Sequence, residues 1–462
     1  MSVTVEQEAF QMPMDNKKVM LKIDDVHLHS CGVFSNVYRG NLREPCEKKI
    51  AIKKTWPEKG ERNFEFIFLT GRERTKHKNI IQMSFAFSHN YGNKVCESYV
   101  FDYMPLTLSD VIRQHLDDLD IRLYTWQIFA GLKYLEEHCV IHRDLKPVNI
   151  LVDHDTGNLK ISDFGSAKVH IRNKQSNSYQ VTRFYRPPEL CLKSTEYDAT
   201  IDVWSAGCCV AEMIRKNVVF PGRDSSHQLK LLCRCFGCPT ESDMIAMKTT
   251  EKLEPEHLKY TKGYGLAKVL PDATREQVSF LRKVLVYAPE KRLKGRDLLK
   301  DDFFKPLFRS GAVRSNEQPV SSTITPADYK KATNVEDAST RRLALLSLAL
   351  KPLDPQGQGI PVCEKSNSFE NIPNRRSTLV PREQKMAKDM KSKEDMSREK
   401  EEKSNDRKRN GSNDKSDERG GNKKVVKKRK SAEGISSNNG KTSRTMTKIT
   451  TEKVESSNEK QE

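Results

Sequence analysis

Short apolar, β-rich stretches bounded by polar residues recur from Leu21 to about Leu106, such as Lys49–Lys53 and Ser98–Asp102, and predict β-strands. One helical stretch, about Arg62–Leu69, interrupts them. From Ser109 the apolar period lengthens to that of helices, at Arg122–Cys139, Asp202–Arg215, Gln228–Phe236 and Glu276–Tyr287. A strand-rich lobe followed by a helix-rich lobe is an α+β, bilobal arrangement. The pattern divides the chain into an N-terminal extension (1–20), one large domain (21–308, with lobes 21–104 and 105–308), a linker (309–363) and a tail (364–462). Within the linker, Arg341–Leu350 is a short apolar patch that reads as a docked helix. No internal repeat is visible.

Composition sharpens the last boundary. The 364–462 tail holds one aromatic residue, Phe369, among Lys, Arg, Glu, Ser and Asn, too little apolar surface to offset its ordering entropy, so disorder is expected. It carries 27 Lys/Arg against 18 Asp/Glu, half of the chain's net +18. The rest is only mildly basic, so nucleic-acid binding is not expected except through this tail. No apolar run approaches the ~18 residues that span a bilayer. Met1–Met20 contains Glu6, Glu8 and Asp15 without an apolar centre, so no signal peptide is expected, and Ser2 excludes N-myristoylation. Eleven scattered cysteines read as reduced thiols of a nuclear or cytosolic protein. Three of them, Cys233, Cys235 and Cys238, have no fourth ligand nearby and read as core rather than as a zinc site. The basic runs Arg407–Arg409 and Lys423–Lys430 resemble a bipartite nuclear import signal, so nucleus and cytoplasm are both expected.

The densest chemistry is His142-Arg143-Asp144-Leu145-Lys146-Pro147-Val148-Asn149. Phosphoryl transfer to a hydroxyl needs a carboxylate to take the proton, a cation on the moving phosphate and a metal ligand close by. Asp144, Lys146 and Asn149 supply these within one loop. Downstream, Asp163-Phe164-Gly165 adds a second carboxylate able to bridge Mg2+ to the β- and γ-phosphates, and strand-like segments within Ile150–Lys160 place the two loops at one cleft. Upstream, Ile50-Ala51-Ile52-Lys53 is a buried-strand pattern ending in a lysine for the α/β-phosphates, with Glu65 on the next helix as its partner. His29-Ser30-Cys31-Gly32-Val33-Phe34-Ser35-Asn36-Val37 fits a phosphate-covering loop, G-x-G-x-x-G-x-V, with serine at the first and third glycines. Gly32 is kept where the backbone approaches the nucleotide; serine in a left-handed conformation would carry a cost and weaken ATP binding.

Taken together, Leu21–Phe308 resembles a eukaryotic protein kinase. Thr182-Arg183-Phe184-Tyr185-Arg186-Pro187-Pro188-Glu189 resembles the end of the activation loop in the cyclin-dependent, MAP and glycogen synthase kinase group. Asp202-Val203-Trp204-Ser205-Ala206-Gly207-Cys208 resembles the helix bracing the catalytic loop. Asp163–Lys168, Ser178-Tyr179, Ser205–Cys208 and Val219–Gly222 match best the spacing of glycogen synthase kinase-3. The resemblance implies a serine/threonine kinase using ATP and Mg2+ on protein substrates, with a monomeric kinase domain. It implies an ATP site lined by His29, Ser30, Gly32, Phe34, Ser35, Val37, Ala51, Lys53, Phe101, Asp102, Met104 and Leu151, and a buried ion pair between Glu189 and Arg292. It also implies autophosphorylation of Tyr179, with Arg183 and Arg186 available to the phosphate.

That family binds substrates already phosphorylated four residues beyond the target, through three cations. Arg143 and Lys168 match two of them; Phe64 stands at the third, and Arg62 is nearly opposite on a helix. The departure predicts weaker preference for pre-phosphorylated substrates. An Arg-rich inhibitory segment at the N-terminus and the family's scaffold-docking sequence within Glu254–Leu270 are not found. The spacing from Glu65 to His77 is unusual. A pseudokinase would explain the two absent glycines but would also be expected to damage Lys53, Asp144, Asn149 or Asp163, and all four are present. A nucleic-acid tether would rest on the tail alone.

Overall fold

A computed structural model describes residues 4–12, 17–32, 35–57, 64–70, 77–91, 94–114, 116–171, 176, 181–249, 251–334, 360 and 366–367. Phe34, Arg62, Tyr179, the 341–350 apolar patch and the basic runs at 407–430 lie outside these residues.

Six strands lead: β1 (Val5–Gln11), β2 (Lys18–Cys31), β3 (Ser35–Glu44), β4 (Lys48–Thr55), β5 (Met83–Tyr91) and β6 (Lys94–Asp102). They pair antiparallel in the order β1-β2-β3-β4-β6-β5, and β5 pairs again with β1 at Ala86↔Phe10 and Phe85↔Gln11, so the sheet closes into a barrel. Alternation along the strands sets the faces: Leu21, Ile23, Tyr38, Leu42, Ile50 and Ile52 are fully buried, while Ala51 and Lys53 turn to the opposite face. β1 lies in the span expected to be a separate extension. It belongs to the barrel because Val5, Gln7 and Ala9 continue the buried alternation.

Helix α1 (Phe64–Thr70) sits between β4 and β5 in the chain. Small strands β7 (Leu106–Thr107), β8 (Val140–Ile141), β9 (Ile150–Asp153), β10 (Asn158–Ile161) and β11 (Lys168–Val169) frame the catalytic loops: β7-β9-β10 form one ribbon and β8-β11 another. The helical lobe is built on α2 (Asp118–Glu137), α3 (Thr200–Arg215), α4 (Ser225–Phe236) and α5 (Arg275–Val284). Helix α2 begins four residues before the sequence pattern suggests, because Asp117 and Asp120 form a capping box. Helix α5 stops at Val284 rather than Tyr287, since Leu285 leaves helical geometry (φ −89°, ψ 74°). Helix α3 packs closely: a Cβ on Gly207 would lie 2.7 Å from Leu285 Cδ2.

The packed structure does not end at Phe308. Arg314 is buried, donates to Asp120 Oδ1 at 2.7 Å, and also meets the Tyr124 hydroxyl and the His154 carbonyl. Beyond it, α6 (Pro326–Thr333) carries Asp328, which pairs with Lys78 at 2.9 Å, and Tyr329, whose ring centroid is 4.8 Å from that of Phe308. The span expected to be linker therefore continues the helical lobe as far as Asn334. Last, β12 (Ser366–Asn367) pairs with β1. No helix of the described residues is long and apolar enough to cross a membrane.

Candidate active site

Lys53 reaches the cleft because its strand neighbours Ile52 and Lys54 face the barrel interior. Its ammonium donates to Glu65 Oε1 and Oε2 at 2.9 and 2.7 Å and to Asp163 Oδ1 at 2.9 Å. Burial opposes the charge on Lys53, but Glu65 and Asp163 outweigh it and raise its pKa. Burial likewise favours a neutral Asp163, and Lys53 overcomes it, so the carboxyl sits below its ordinary range. Helix α1 is anchored by aromatic contacts. Phe66 stacks on Tyr99 (6.0 Å), Phe64 on Phe68 (6.3 Å), and Phe68 lies against Phe164 (4.6 Å), whose own N–H donates to Glu65 Oε1 at 3.3 Å.

The catalytic loop hangs from Asp202 in the first turn of α3. Its buried carboxylate accepts the main-chain N–H of His142 (2.7 Å) and Arg143 (2.9 Å). Burial pushes the Asp202 pKa up, against the pull of His142 and these amides. Arg143 is left-handed at φ 66°, and Asp163 at φ 63°, ψ 77°, conformations that a β-carbon disfavours and that a tightly bonded loop must hold. His142 Nε2 bonds the Ser162 carbonyl at 3.0 Å, and Ser162 N–H donates to the Asn149 carbonyl at 2.9 Å, tying the two loops together.

Asp144 is contacted from three sides. The Thr182 hydroxyl donates to Oδ1 at 2.7 Å, Lys146 Nζ lies 3.1 Å from Oδ2, and Asn149 Nδ2 donates to Oδ2 at 3.1 Å and to the main-chain oxygen at 2.8 Å. Lys146 also donates to Thr182 Oγ1 at 3.1 Å. Neither Thr182 nor Asp202 stands out individually in the sequence. The signal was only their position at the head of T-R-F-Y-R-P-P-E and of the bracing helix.

Around the nucleotide space, strand register groups the expected residues. Val37 pairs with Lys53, Ala51 with Phe101, and Leu151 with Thr107. Phe101 is buried, and Val37, Ala51, Met104 and Leu151 are half-buried. Asp102 is exposed and paired with Lys48 at 2.6 Å, and His29 meets the Tyr103 ring edge-on at 6.1 Å. Gly32 N–H donates to the Ser35 carbonyl at 2.8 Å, closing the turn. Ser30 and Ser35 are strand residues, and neither is left-handed. The cost expected for serine at these positions therefore does not arise, because Ser30 pairs with Val37 in the β2–β3 ladder and Ser35 with Thr55 in the β3–β4 ladder.

The activation segment departs from expectation at Arg186. It is buried, with its guanidinium on the Val181 carbonyl (3.0 and 3.3 Å) and Ser225 Oγ (2.9 Å), so it is engaged rather than open to a phosphate. Val181 itself is left-handed at φ 67°, a strained state for a β-branched residue. Arg183 is half-buried. Arg143 Nε donates to the Ser166 carbonyl at 2.6 Å; Lys168 bonds Ser176 Oγ and lies over the Tyr197 ring. Glu189 and Arg292 meet in a buried bidentate pair, both contacts 2.7 Å. Cys233 and Cys235 are buried among apolar residues, and burial raises both thiols to about 12.

Among known proteins, the sequence model of the protein kinase domain matches residues 31–304. The chain is 33% identical over 336 residues to the serine/threonine-protein kinase gskl-1 of Caenorhabditis elegans, covering 69% of this chain and 89% of the relative. Protein kinase gsk31 of Schizosaccharomyces pombe is 35% identical over 272 residues (56% and 69%). Glycogen synthase kinase 1 of Pyricularia oryzae is 32% identical over 289 residues (60% and 71%).

Proposed function

The chain belongs to the protein kinase family as a serine/threonine kinase resembling the glycogen synthase kinases, and from that premise we propose that Asp144 is the base through which it phosphorylates protein hydroxyls with ATP. One observation carries the reading. The Asp144 carboxylate is held by Thr182, Lys146 and Asn149 while Lys53, Glu65 and Asp163 are already closed on one another. As the substrate oxygen attacks the γ-phosphorus, its proton passes to Asp144 and the bond to the β-phosphate oxygen breaks, releasing ADP. Lys146 offsets charge on the moving phosphoryl group, and Lys53 holds the α/β-phosphates. Asp163 and Asn149 would hold a magnesium ion: Lys53 keeps the first carboxyl below its ordinary range, and the second spends its amide nitrogen on Asp144, which leaves its oxygen for the ion. When bound, that ion supplies neutralising charge to the β- and γ-phosphates.

Two finer readings belong with this. Arg143 and Lys168 form a two-cation site for a pre-phosphorylated substrate, weakened by Phe64, which stacks on Phe68 where the third cation would stand. Tyr179 is an autophosphorylation site whose phosphate would draw on Arg183 first, Arg186 being engaged. The domain acts as a monomer, and the basic tail directs part of the protein to the nucleus. The primary test is transfer from labelled ATP to a generic basic substrate. Asp144→Asn should lose at least two orders of magnitude, on the order of a general base's contribution; a rate within twofold of wild type refutes the assignment.

A further inference from the structure

The chain returns to the barrel after the helical lobe. Ile360 is buried (4% exposed), and its carbonyl accepts a 2.8 Å hydrogen bond from Ser88 Oγ on β5, itself fully buried. Ser366 and Asn367 then pair antiparallel with Gln7 and Glu6 of β1. β5 pairs with β1 only at Phe10 and Gln11, so β12 occupies a stretch of β1 that the barrel closure does not cover.

These contacts abut the support of α1. Ser88 lies opposite Glu97 on β6; Glu97 accepts the Tyr99 hydroxyl, and the Tyr99 ring carries Phe66, the neighbour of Glu65. The strand face under Ile360 is thus continuous, through packed side chains, with the helix that presents Glu65 to Lys53.

We propose that Ile360 and Ser366–Asn367 form a strap, acting within the chain, that fastens β1 and β5 and favours the position of α1 in which Glu65 closes on Lys53. The occupant is this chain's own segment, since it is seated there with one apolar anchor and a strand pairing. On this proposal α1 exchanges between the closed ion pair seen here and an open position. A segment that binds the closed state better shifts the population toward it. Among the described residues the attachment is one buried isoleucine and two paired strand residues.

The test uses the full chain, comparing wild type with Ile360→Asp, Ile360→Val and Ser366→Pro by amide hydrogen exchange and steady-state kinetics. Ile360→Asp and Ser366→Pro should raise exchange in Val5–Gln11 and in Phe64–Thr70 and lower kcat roughly fivefold or more. Ile360→Val should behave as wild type. Unchanged exchange in both segments overturns the proposal. So does faster exchange in β1 with α1 and kcat unaltered, and so does a rise in kcat, which would mean an inhibitory strap. Should Ile360→Asp fail to fold, Ser366→Pro, which alters only an edge strand, decides the matter. The exchange readout does not require catalysis, so a wrong assignment of Asp144 would leave it intact.

Discussion

At Asp144, Oδ1 takes its hydrogen bond from the Thr182 hydroxyl while Oδ2 is held by Lys146 and Asn149. Thr182 donates to its Oδ1 and receives from Lys146, so removing that hydroxyl takes one bond from each and leaves only the Oδ2 contacts to orient the carboxylate. Thr182→Val should lower kcat about ten- to a hundredfold, the equivalent of losing ~1.5–3 kcal/mol of charge-assisted hydrogen bonding, with KM for ATP little changed; Thr182→Ser should restore it. Phe64→Arg should raise the ratio of kcat/KM for a primed over an unprimed peptide, mostly through KM, because the added cation is remote from the reacting phosphate. A wild-type ratio already equal to the variant's would show that another cation completes the site. His77 gives a pH signature. Burial, with Lys331, Lys133, Lys78 and Lys160 nearby, depresses its pKa from 6.5 to about 3, so the folded protein keeps it neutral where the unfolded chain protonates. The unfolded state binds more protons between those values. Stability should therefore fall as pH drops below about 6.5, by at most ~1.4 kcal/mol per pH unit, and His77→Phe, which keeps the stack on Tyr134, should flatten that slope in urea melts.

Elements explain why the chemistry was legible in the sequence and the scaffolding was not. The catalytic loop and Asp163-Phe164-Gly165 are short contiguous strings whose roles follow from residue type, and Lys53 is marked as the lysine ending the buried-strand run Ile50-Ala51-Ile52. Arg186 looks available in the sequence because its bonds, to a left-handed Val181 and to Ser225 39 residues on, are announced by no local pattern. Helix boundaries shifted where side-chain caps, not apolar period, set them, as at Asp117. Helix α3 shows how little slack such elements have. Gly207→Ala would set a methyl 2.7 Å from Leu285 and 2.9 Å from Val284, so it should cost ~1–3 kcal/mol in chemical denaturation and leave ATP affinity unchanged.

At the scale of the molecule, both ends of the domain extend past where composition placed them. The signals were one buried-alternating strand, β1, and one arginine whose partner lies far back in the chain. Arg314 and Asp120 are both fully buried; Arg314→Met should destabilise by ~3–5 kcal/mol, since it strands a buried carboxylate, and Arg314→Met with Asp120→Asn should cost less than the sum. The closure of the barrel by β1 has a different consequence, for how the protein is made. Of the barrel strands β1 leaves the ribosome before the others, and one of its edges must wait for β5, the strand Met83–Tyr91, before the ring shuts. Until then β2's partner is a half-paired strand of the kind that nascent chains can exchange with one another. Once shut, the ring gives β2 a neighbour on each side and pairs β5 at Phe85 and Ala86, which shortens the edges open to strand addition. A chain lacking residues 1–17 would present those two edges permanently, and size-exclusion chromatography should find it self-associating at concentrations where the intact protein does not.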